Sequence, residues 1–292
     1  EQSVPTVEPS SASTASTVGS RTKSPTVTAT TLDDKPRLDI SDDVFGRLRN
    51  LNIGAALLHL VSGVAMIVLG NDFSLPVSLF NLGGPPGTPI SEGFLEELWQ
   101  VPLAPMTAAF MFLSSLFHLL VVVPGGFAKY KKEIRLGQNR FRWIEYSLSS
   151  TLMIILISLI VGITDVAALI GISLANVAMI LFGWVMEVVN KPGDRVWWAP
   201  FWFGCIAGIA PWLALIAYLT LSSEGEGPPG FVYGILVSIF VLFNCFALVQ
   251  WLQYRGVGKF SDYVVGERTY IILSFVAKSA LAWQIFANTL ID

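Results

Sequence analysis

Seven long apolar stretches fill the chain from Phe45 to its C-terminus. A helix needs about 20 apolar residues to cross a hydrocarbon core of about 30 Å. Each stretch is long enough, and none shows the two-residue alternation typical of transmembrane β-strands. The sequence therefore predicts an all-α membrane protein, a bundle of seven transmembrane helices. The predicted spans are 46–69, 103–124, 140–162, 166–189, 199–222, 231–253 and 267–290.

Composition supports this prediction and excludes several classes of function. Hydrophobic residues make up 53% of the chain and charged residues 13%, whereas soluble domains average about 25% charged residues. The net charge of −3 leaves no basic surplus for nucleic acid. Cys205 and Cys245 lie in apolar stretches and the chain has two histidines, so we predict neither a disulfide framework nor a metal centre.

The chain divides into two regions of different composition. Residues 1–44 are rich in Ser and Thr, end in an acidic cluster and contain few large apolar residues, which predicts a disordered cytoplasmic tail. The tail could be a solvated tether or a phosphorylatable docking arm. Residues 45–292 form the transmembrane domain. Its longest external loop, 70–102, could be either a short hairpin or a flexible segment.

The distribution of basic residues predicts the orientation in the membrane. The loops 70–102, 163–165 and 223–230 contain no Lys or Arg, whereas all Lys and Arg residues except Lys278 fall in the tail, in the other loops or at their interfaces. Basic residues concentrate on the cytoplasmic side. The N-terminus is therefore predicted to be cytoplasmic and the C-terminus extracellular.

Lys278 is the residue that most directly indicates function. It lies near the middle of the last apolar stretch, too deep for its side chain to reach the interface. A central lysine costs about 2.5–3.5 kcal/mol on insertion scales, so it is rarely kept without a function. Two chemistries suit it: condensation of the neutral amine with an aldehyde, or an ion pair in an ion path. Either needs a nearby acid.

Two glutamates lie inside the predicted spans rather than at a terminal residue of one, both near the cytoplasmic ends of their spans. Glu145 could serve Lys278 or form an interface salt bridge with Arg142, and Glu187 could be buried or interfacial. Ser274, one helical turn before Lys278, could hydrogen-bond the lysine or its partner, or bond to its own helix backbone.

His59 and His118 lie well inside the first two spans. They could face one cavity and carry a proton, or make ordinary interhelical hydrogen bonds.

A chain of seven helices with a single lysine in the middle of the last one resembles the microbial rhodopsins. The inverted orientation and several short sequence strings are similar to those of one group among them, the heliorhodopsins. The matching strings lie on four segments: RWIEYS at 142–147, FGW at 182–184, QY at 253–254 with VGK at 257–259 and DY at 262–263, and AKS at 277–279 with LAWQ at 281–284. The resemblance covers about residues 45–292 and excludes the tail.

The resemblance implies a role for each site residue. Lys278 would carry all-trans retinal as a protonated Schiff base, Glu145 would be its counterion, and Ser274 would bond into that pair. Residues expected in the nearby polar cavity are His59, His118, Ser114 and Glu187. Residues expected around the polyene are Tyr146, Met179, Gly183, Trp212 and Phe243.

The resemblance also implies function. We expect a membrane photoreceptor rather than an enzyme, with a slow photocycle without ion pumping and a homodimeric state. The Ser/Thr-rich tail is the expected place for coupling to a cytoplasmic partner of unknown identity. The apolar stretch 152–160, between Glu145 and the outside, favours sensing. The alternatives are a light-gated or light-driven proton transporter, and a retinal-free receptor or transporter that uses Lys278 and Glu145 as an ion pair.

Overall fold

The computed structural model describes residues 36–221 and 229–289, so most of the predicted tail lies outside the described residues. Within that part of the chain, seven helices are long and apolar enough to cross a membrane, which confirms the seven predicted spans. They are α1 (Asp42–Leu69), α2 (Leu103–Leu120), α4 (Arg140–Val161), α5 (Val166–Val189), α6 (Ala199–Leu221), α7 (Gly230–Arg255) and α8 (Tyr263–Thr289). The remaining elements are β1 (Ser74–Asn81), β2 (Phe94–Pro102), the helix α3 (Pro124–Arg135) and the short 3-10 turns Ile90–Glu92 and Gly258–Ser261.

Local capping residues fix the ends of the helix that carries Glu145. The Asn139 side chain accepts a hydrogen bond from the backbone N–H of Arg142 and so caps the start of α4. Gly162 ends α4 with φ of 102°, a left-handed conformation that favours glycine. Three residues later, Asp165 caps α5 by accepting from the N–H of Ala168. The α4–α5 connection is therefore a tight turn.

The short helix α3 is absent from the sequence-based prediction. The second span was expected to end at residue 124, but α2 ends at Leu120, and Pro124 begins a new helix because proline is well suited to a first helical turn. Tyr130 and Ile134 of α3 are buried in an apolar cluster with Phe45 of α1 and Ile271 of α8. The loop after α2 therefore contains a packed element, at the end of the bundle where α1, α4 and α8 begin.

The last residues assigned to the tail are also packed. Ile40 is buried in the same cluster, and α1 already begins at Asp42, where Ser41 accepts a hydrogen bond from the N–H of Val44. For residues 1–35, which lie outside the described residues, the disordered tail remains a prediction.

The loop between α1 and α2 forms a β-hairpin, one of its two expected forms. β1 and β2 pair antiparallel from Ser74–Pro102 to Asn81–Phe94, with a bulge after Val77. Ser78 ties the hairpin to the α4–α5 turn, because its hydroxyl and that of Thr164 are 2.8 Å apart.

Helix α4 lies at the centre of the bundle. In its most apolar segment 67% of the residues are buried, against 22% for α5, α6 and α7. The outer helices instead expose large apolar side chains, as expected of surfaces that face lipid; examples are Val68, Leu174, Ile206 and Leu221. Glu145 is therefore carried by the most enclosed helix.

Candidate functional site

Lys278 of α8 and Glu145 of α4 form a buried ion pair between Nζ and Oε1. The two residues are 6% and 4% exposed. Ser114 of α2 donates a hydrogen bond of 2.9 Å to the same carboxylate oxygen. The Lys278 Nζ also lies 5.1 Å from the centre of the Tyr146 ring. Of the two partners considered for Glu145, the structure thus selects Lys278 rather than Arg142.

The ion pair joins two residues that simple depth counting placed apart. Glu145 is on the second turn of α4, whereas Lys278 is far along α8. Side chains lean toward the N-terminus of their helix, and α8 begins at the same end of the bundle as α4. The long Lys278 side chain therefore leans toward Glu145.

Ser274 was expected to hydrogen-bond into the ion pair, but the structure shows no such bond. It is buried, but its hydroxyl has no hydrogen-bond partner within the part of the chain that the structure describes, Lys278 and Glu145 included. Ser114 on another helix supplies that hydroxyl instead. Helical spacing identified which serine shares a face with Lys278, but contact with Glu145 depends on how α2 packs against α4.

A cavity of about 410 Å³ lies beside Lys278. Its volume is that of a typical small-molecule site. All five residues expected to surround a polyene line it: Tyr146, Met179, Gly183, Trp212 and Phe243. Ile209, Leu213 and Phe240 also line it and are exposed on the outside of the bundle, so the cavity reaches the lipid-facing surface between α6 and α7.

Glycines on α5 and α6 make room for large side chains in the cavity wall. A Cβ at Gly183 would lie 2.4 Å from the Trp143 ring, and one at Gly208 would lie 2.5 Å from the Met179 sulfur. Such distances are far shorter than ordinary contacts. Glycine at these positions therefore allows Trp143 and Met179 to pack against the helix backbone.

His59 and His118 lie together near the ion pair. Their rings stack with centroids 5.7 Å apart and planes at 20°. The Nδ1 of His118 is 2.7 Å from the Asn52 Oδ1. His59 is completely buried, and neither of its ring nitrogens has a hydrogen-bond partner among the described residues. The two histidines thus share one site, which agrees with the first of the two alternatives considered for them.

Glu187 does not belong to the histidine group with which it was predicted. It is buried and forms an ion pair with Arg142. Its second oxygen accepts hydrogen bonds from the Trp143 indole, at 2.6 Å, and from the Asn139 backbone, at 2.9 Å. The reason is that Arg142 lies one turn from Glu145 toward the start of α4 and draws Glu187 there.

Glu267 completes this second site and was missed by the sequence analysis. Arg142 forms an ion pair with Glu267 as well as with Glu187. Glu267 also accepts hydrogen bonds from the Tyr130 hydroxyl, at 2.9 Å, and from the Asn139 side-chain amide, at 2.8 Å. Burial and the neighbouring carboxylate raise the pKa of the Tyr130 hydroxyl well above its ordinary value, so this group remains a neutral donor. We call Arg142, Glu187 and Glu267 the carboxylate cluster.

A small cavity of about 30 Å³ is lined by residues of both polar sites. They include Glu145 and His118 of the first site and Arg142 and Glu267 of the second. The only sequence signal for the carboxylate cluster was an acid and an arginine at predicted span boundaries, where both residues are ordinarily solvated.

Comparison with known proteins decides the family. The heliorhodopsin family model matches residues 48–290. The chain belongs to the heliorhodopsin family. Membership implies an integral multi-pass membrane protein with a retinal chromophore, and supports a photoreceptor. No curated protein matches this heliorhodopsin.

Several solved structures share the fold of this heliorhodopsin at low sequence identity. The transmembrane domain of a rhodopsin phosphodiesterase from Salpingoeca rosetta has 13% identity and a TM-score of 0.57, covering 84% of this chain and 86% of that one. The light-driven proton pump LR (Mac) from Leptosphaeria maculans has 14% identity and a TM-score of 0.55, covering 86% and 96%. A thermophilic rhodopsin has 14% identity and a TM-score of 0.54, covering 84% and 91%. At these identities the likeness shows the fold alone.

Proposed function

We propose that this heliorhodopsin is a light sensor, not an enzyme, in which Lys278 carries all-trans retinal as a protonated Schiff base and Glu145 is the counterion. The observation that carries the proposal is the ion pair of these two residues at the wall of the 410 Å³ cavity. The residues present fit the group: an amine for its aldehyde end and aromatic walls for its polyene.

The chain's own residues divide the work in this proposal. Retinal supplies light absorption and photoisomerisation when bound. Lys278 holds it in place, and Trp212 and Phe243 exclude water from the polyene. Glu145 provides the fixed negative charge that a buried cation needs, and Ser114 holds that carboxylate through its hydrogen bond.

The distribution of polar groups favours a sensor with a slow photocycle and without pumping. Toward the hairpin end of the bundle, the core around α4 is a continuous apolar cluster that includes Met153, Ile157 and Leu159. Such a cluster offers few groups that could relay a proton outward. The described polar sites next to Glu145 lie toward the opposite end.

A light-gated or light-driven proton transporter is the second candidate. The observation in its favour is the small cavity from Glu145 to Glu267, together with the stacked His59 and His118. It would need a second path through the apolar cluster.

The proposal also includes the surroundings of the protein. Basic residues near the ends of α3 and α7 support a cytoplasmic N-terminus and an extracellular C-terminus. Family resemblance leads us to propose that the protein is a homodimer in the lipid bilayer. We also propose that the Ser/Thr-rich segment before α1 binds a cytoplasmic partner.

Pigment formation tests the site. Membranes that contain the protein and all-trans retinal should be coloured and bleach with hydroxylamine, and Lys278→Ala should abolish the colour. Lys259→Ala, which removes an exposed lysine outside the cavity, is the matched control and should stay coloured. Colour that persists in Lys278→Ala would refute the assignment.

Voltage-clamp recording separates the two candidates. A sensor gives no light-evoked current, whereas a transporter gives current that depends on proton gradient and voltage. A reproducible proton current would refute the proposal of a sensor and support the proton transporter.

A further inference from the structure

The carboxylate cluster carries more negative than positive charge. Glu187 and Glu267 are 1% exposed each, and Arg142 is 7% exposed. Among residues 36–221 and 229–289, Arg142 is the one cation in contact with these two carboxylates. An uncompensated charge is costly in a buried site, and a carboxylate in that position tends to bind a proton instead. Charge balance therefore calls for one proton in the cluster.

Each of the two carboxylates faces obligate hydrogen-bond donors and one tyrosine hydroxyl. Glu187 accepts from the Arg142 guanidinium, the Trp143 indole and the Asn139 backbone N–H, which are obligate donors, and its Oε1 also faces the Tyr263 hydroxyl at 3.3 Å. Glu267 accepts from the Arg142 guanidinium and the Asn139 side-chain amide, and its Oε1 also faces the Tyr130 hydroxyl. Because a phenol hydroxyl can turn and accept a hydrogen bond, each carboxylate has a partner suited to either protonation state.

The groups that face the cluster from neighbouring elements do not remove the excess charge. They are Tyr130 of α3, Tyr254 of α7, and Tyr263 and Tyr270 of α8, all neutral phenols, with Asn139 before α4. The guanidinium of Arg142 lies 4.1 Å from the centre of the Tyr270 ring. His118 of α2 lines the adjoining small cavity.

We propose that Glu187 and Glu267 share one exchangeable proton, and that the pair is a proton reservoir for the Lys278–Glu145 site. The small cavity touches Glu267, His118 and Glu145, and its volume of about 30 Å³ is enough for a water molecule. Release moves the proton from the carboxyl pair into this cavity, toward Glu145, and leaves both carboxylates ionised beside Arg142. Return restores a neutral cluster.

This reservoir rests on the proposed function, and infrared difference spectroscopy tests the two separately. Light-minus-dark spectra of the pigment should show loss of a protonated-carboxyl C=O stretch that shifts in D2O. Glu267→Gln and Glu187→Gln each leave one carboxylate beside the one arginine, so the charges balance without a bound proton. Both variants should therefore lose the band while keeping their colour. Glu133→Gln, which removes another buried glutamate whose partner is Arg140, is the matched control and should keep the band.

Tyr130→Phe provides a second measurement with little risk to folding. It removes the hydroxyl bonded to Glu267, so the band should persist and move to higher frequency. A band that survives unchanged in Glu267→Gln, or a coloured wild type with no such band, overturns the reservoir and leaves the proposed function intact. Failure of the wild type to form pigment overturns the proposed function itself.

Discussion

Glu145 is a single carboxylate on which three neighbours converge. Lys278 and Ser114 contact the same oxygen, and His118 lines the small cavity beside it. In a buried site, a hydrogen bond to a charged group contributes about 1.5–3 kcal/mol. The position of this carboxylate is therefore held from two helices at once.

Replacing Glu145 tests its role as counterion. We expect Glu145→Gln to shift the pigment's absorption strongly to longer wavelength, because the carboxylate stabilises the positive charge near Lys278 before excitation more than after it. Ser114→Ala, which keeps the charge and removes one hydrogen bond, should shift it less and in the same direction. The measurement is the absorption spectrum of purified pigment. An unchanged spectrum in Glu145→Gln would assign the counterion to another residue.

At this scale the sequence predicts residues but not the contacts between them. Lys278 and Glu145 could be found because charges deep in an apolar stretch are costly. Glu267 could not, because an acid at a span boundary is ordinarily solvated. Helical spacing placed Ser274 near Lys278, but it contains no information on packing between helices, which brought Ser114 to Glu145 instead.

Helix α5 forms one wall of the large cavity, and its glycines differ in surroundings. Gly183 lies against the Trp143 ring, whereas a Cβ at Gly171 would meet nothing within 4 Å. The same substitution on one helix therefore has opposite consequences at the two positions.

We expect Gly183→Ala to destabilise the pigment by about 1–3 kcal/mol, the usual cost of overpacking, and to reduce the pigment formed per protein. The added methyl group would push Trp143 into the cavity. Gly171→Ala should be neutral or stabilising by up to about 1 kcal/mol, since alanine is the better helix former. Thermal bleaching and retinal titration measure both. Equal pigment yield and stability in the two variants would contradict this account of the cavity wall.

At the scale of elements, hydropathy predicted the seven membrane-spanning helices, but neither α3 nor the hairpin. The seven spans follow from the length of hydrocarbon to be crossed. Helix α3 was missed because its apolar residues, such as Ile134, are few and its lysines suggested a loop. The sequence did not decide between a hairpin and a flexible loop, because the pairing partners of the two strands lie far apart in sequence.

The whole molecule presents an apolar belt to lipid and polar ends to water. The hairpin end carries acidic residues such as Glu96 and Asp165, whereas the end with α3 carries Lys129 and Lys132. This asymmetry supports the proposed orientation, since basic residues remain on the cytoplasmic side.

Cysteine labelling tests the orientation. In a background with both native cysteines replaced by alanine, Ser91→Cys in the hairpin should react with an impermeant maleimide on intact cells. Ser261→Cys, in the exposed turn between α7 and α8, should react only after permeabilisation. The reverse pattern would invert the proposed topology.

Asn139 contacts both members of the carboxylate pair and also begins the helix that bears Glu145. Its backbone N–H donates a hydrogen bond to Glu187, and its side-chain amide nitrogen donates one to Glu267. Its side-chain carbonyl oxygen caps α4. If α4 pivots or slides, this one residue must pull on α5 and α8 together. A disturbance at the chromophore would thus arrive at the α3 end of the bundle as a concerted displacement of three helices, a mechanical signal that another protein could read.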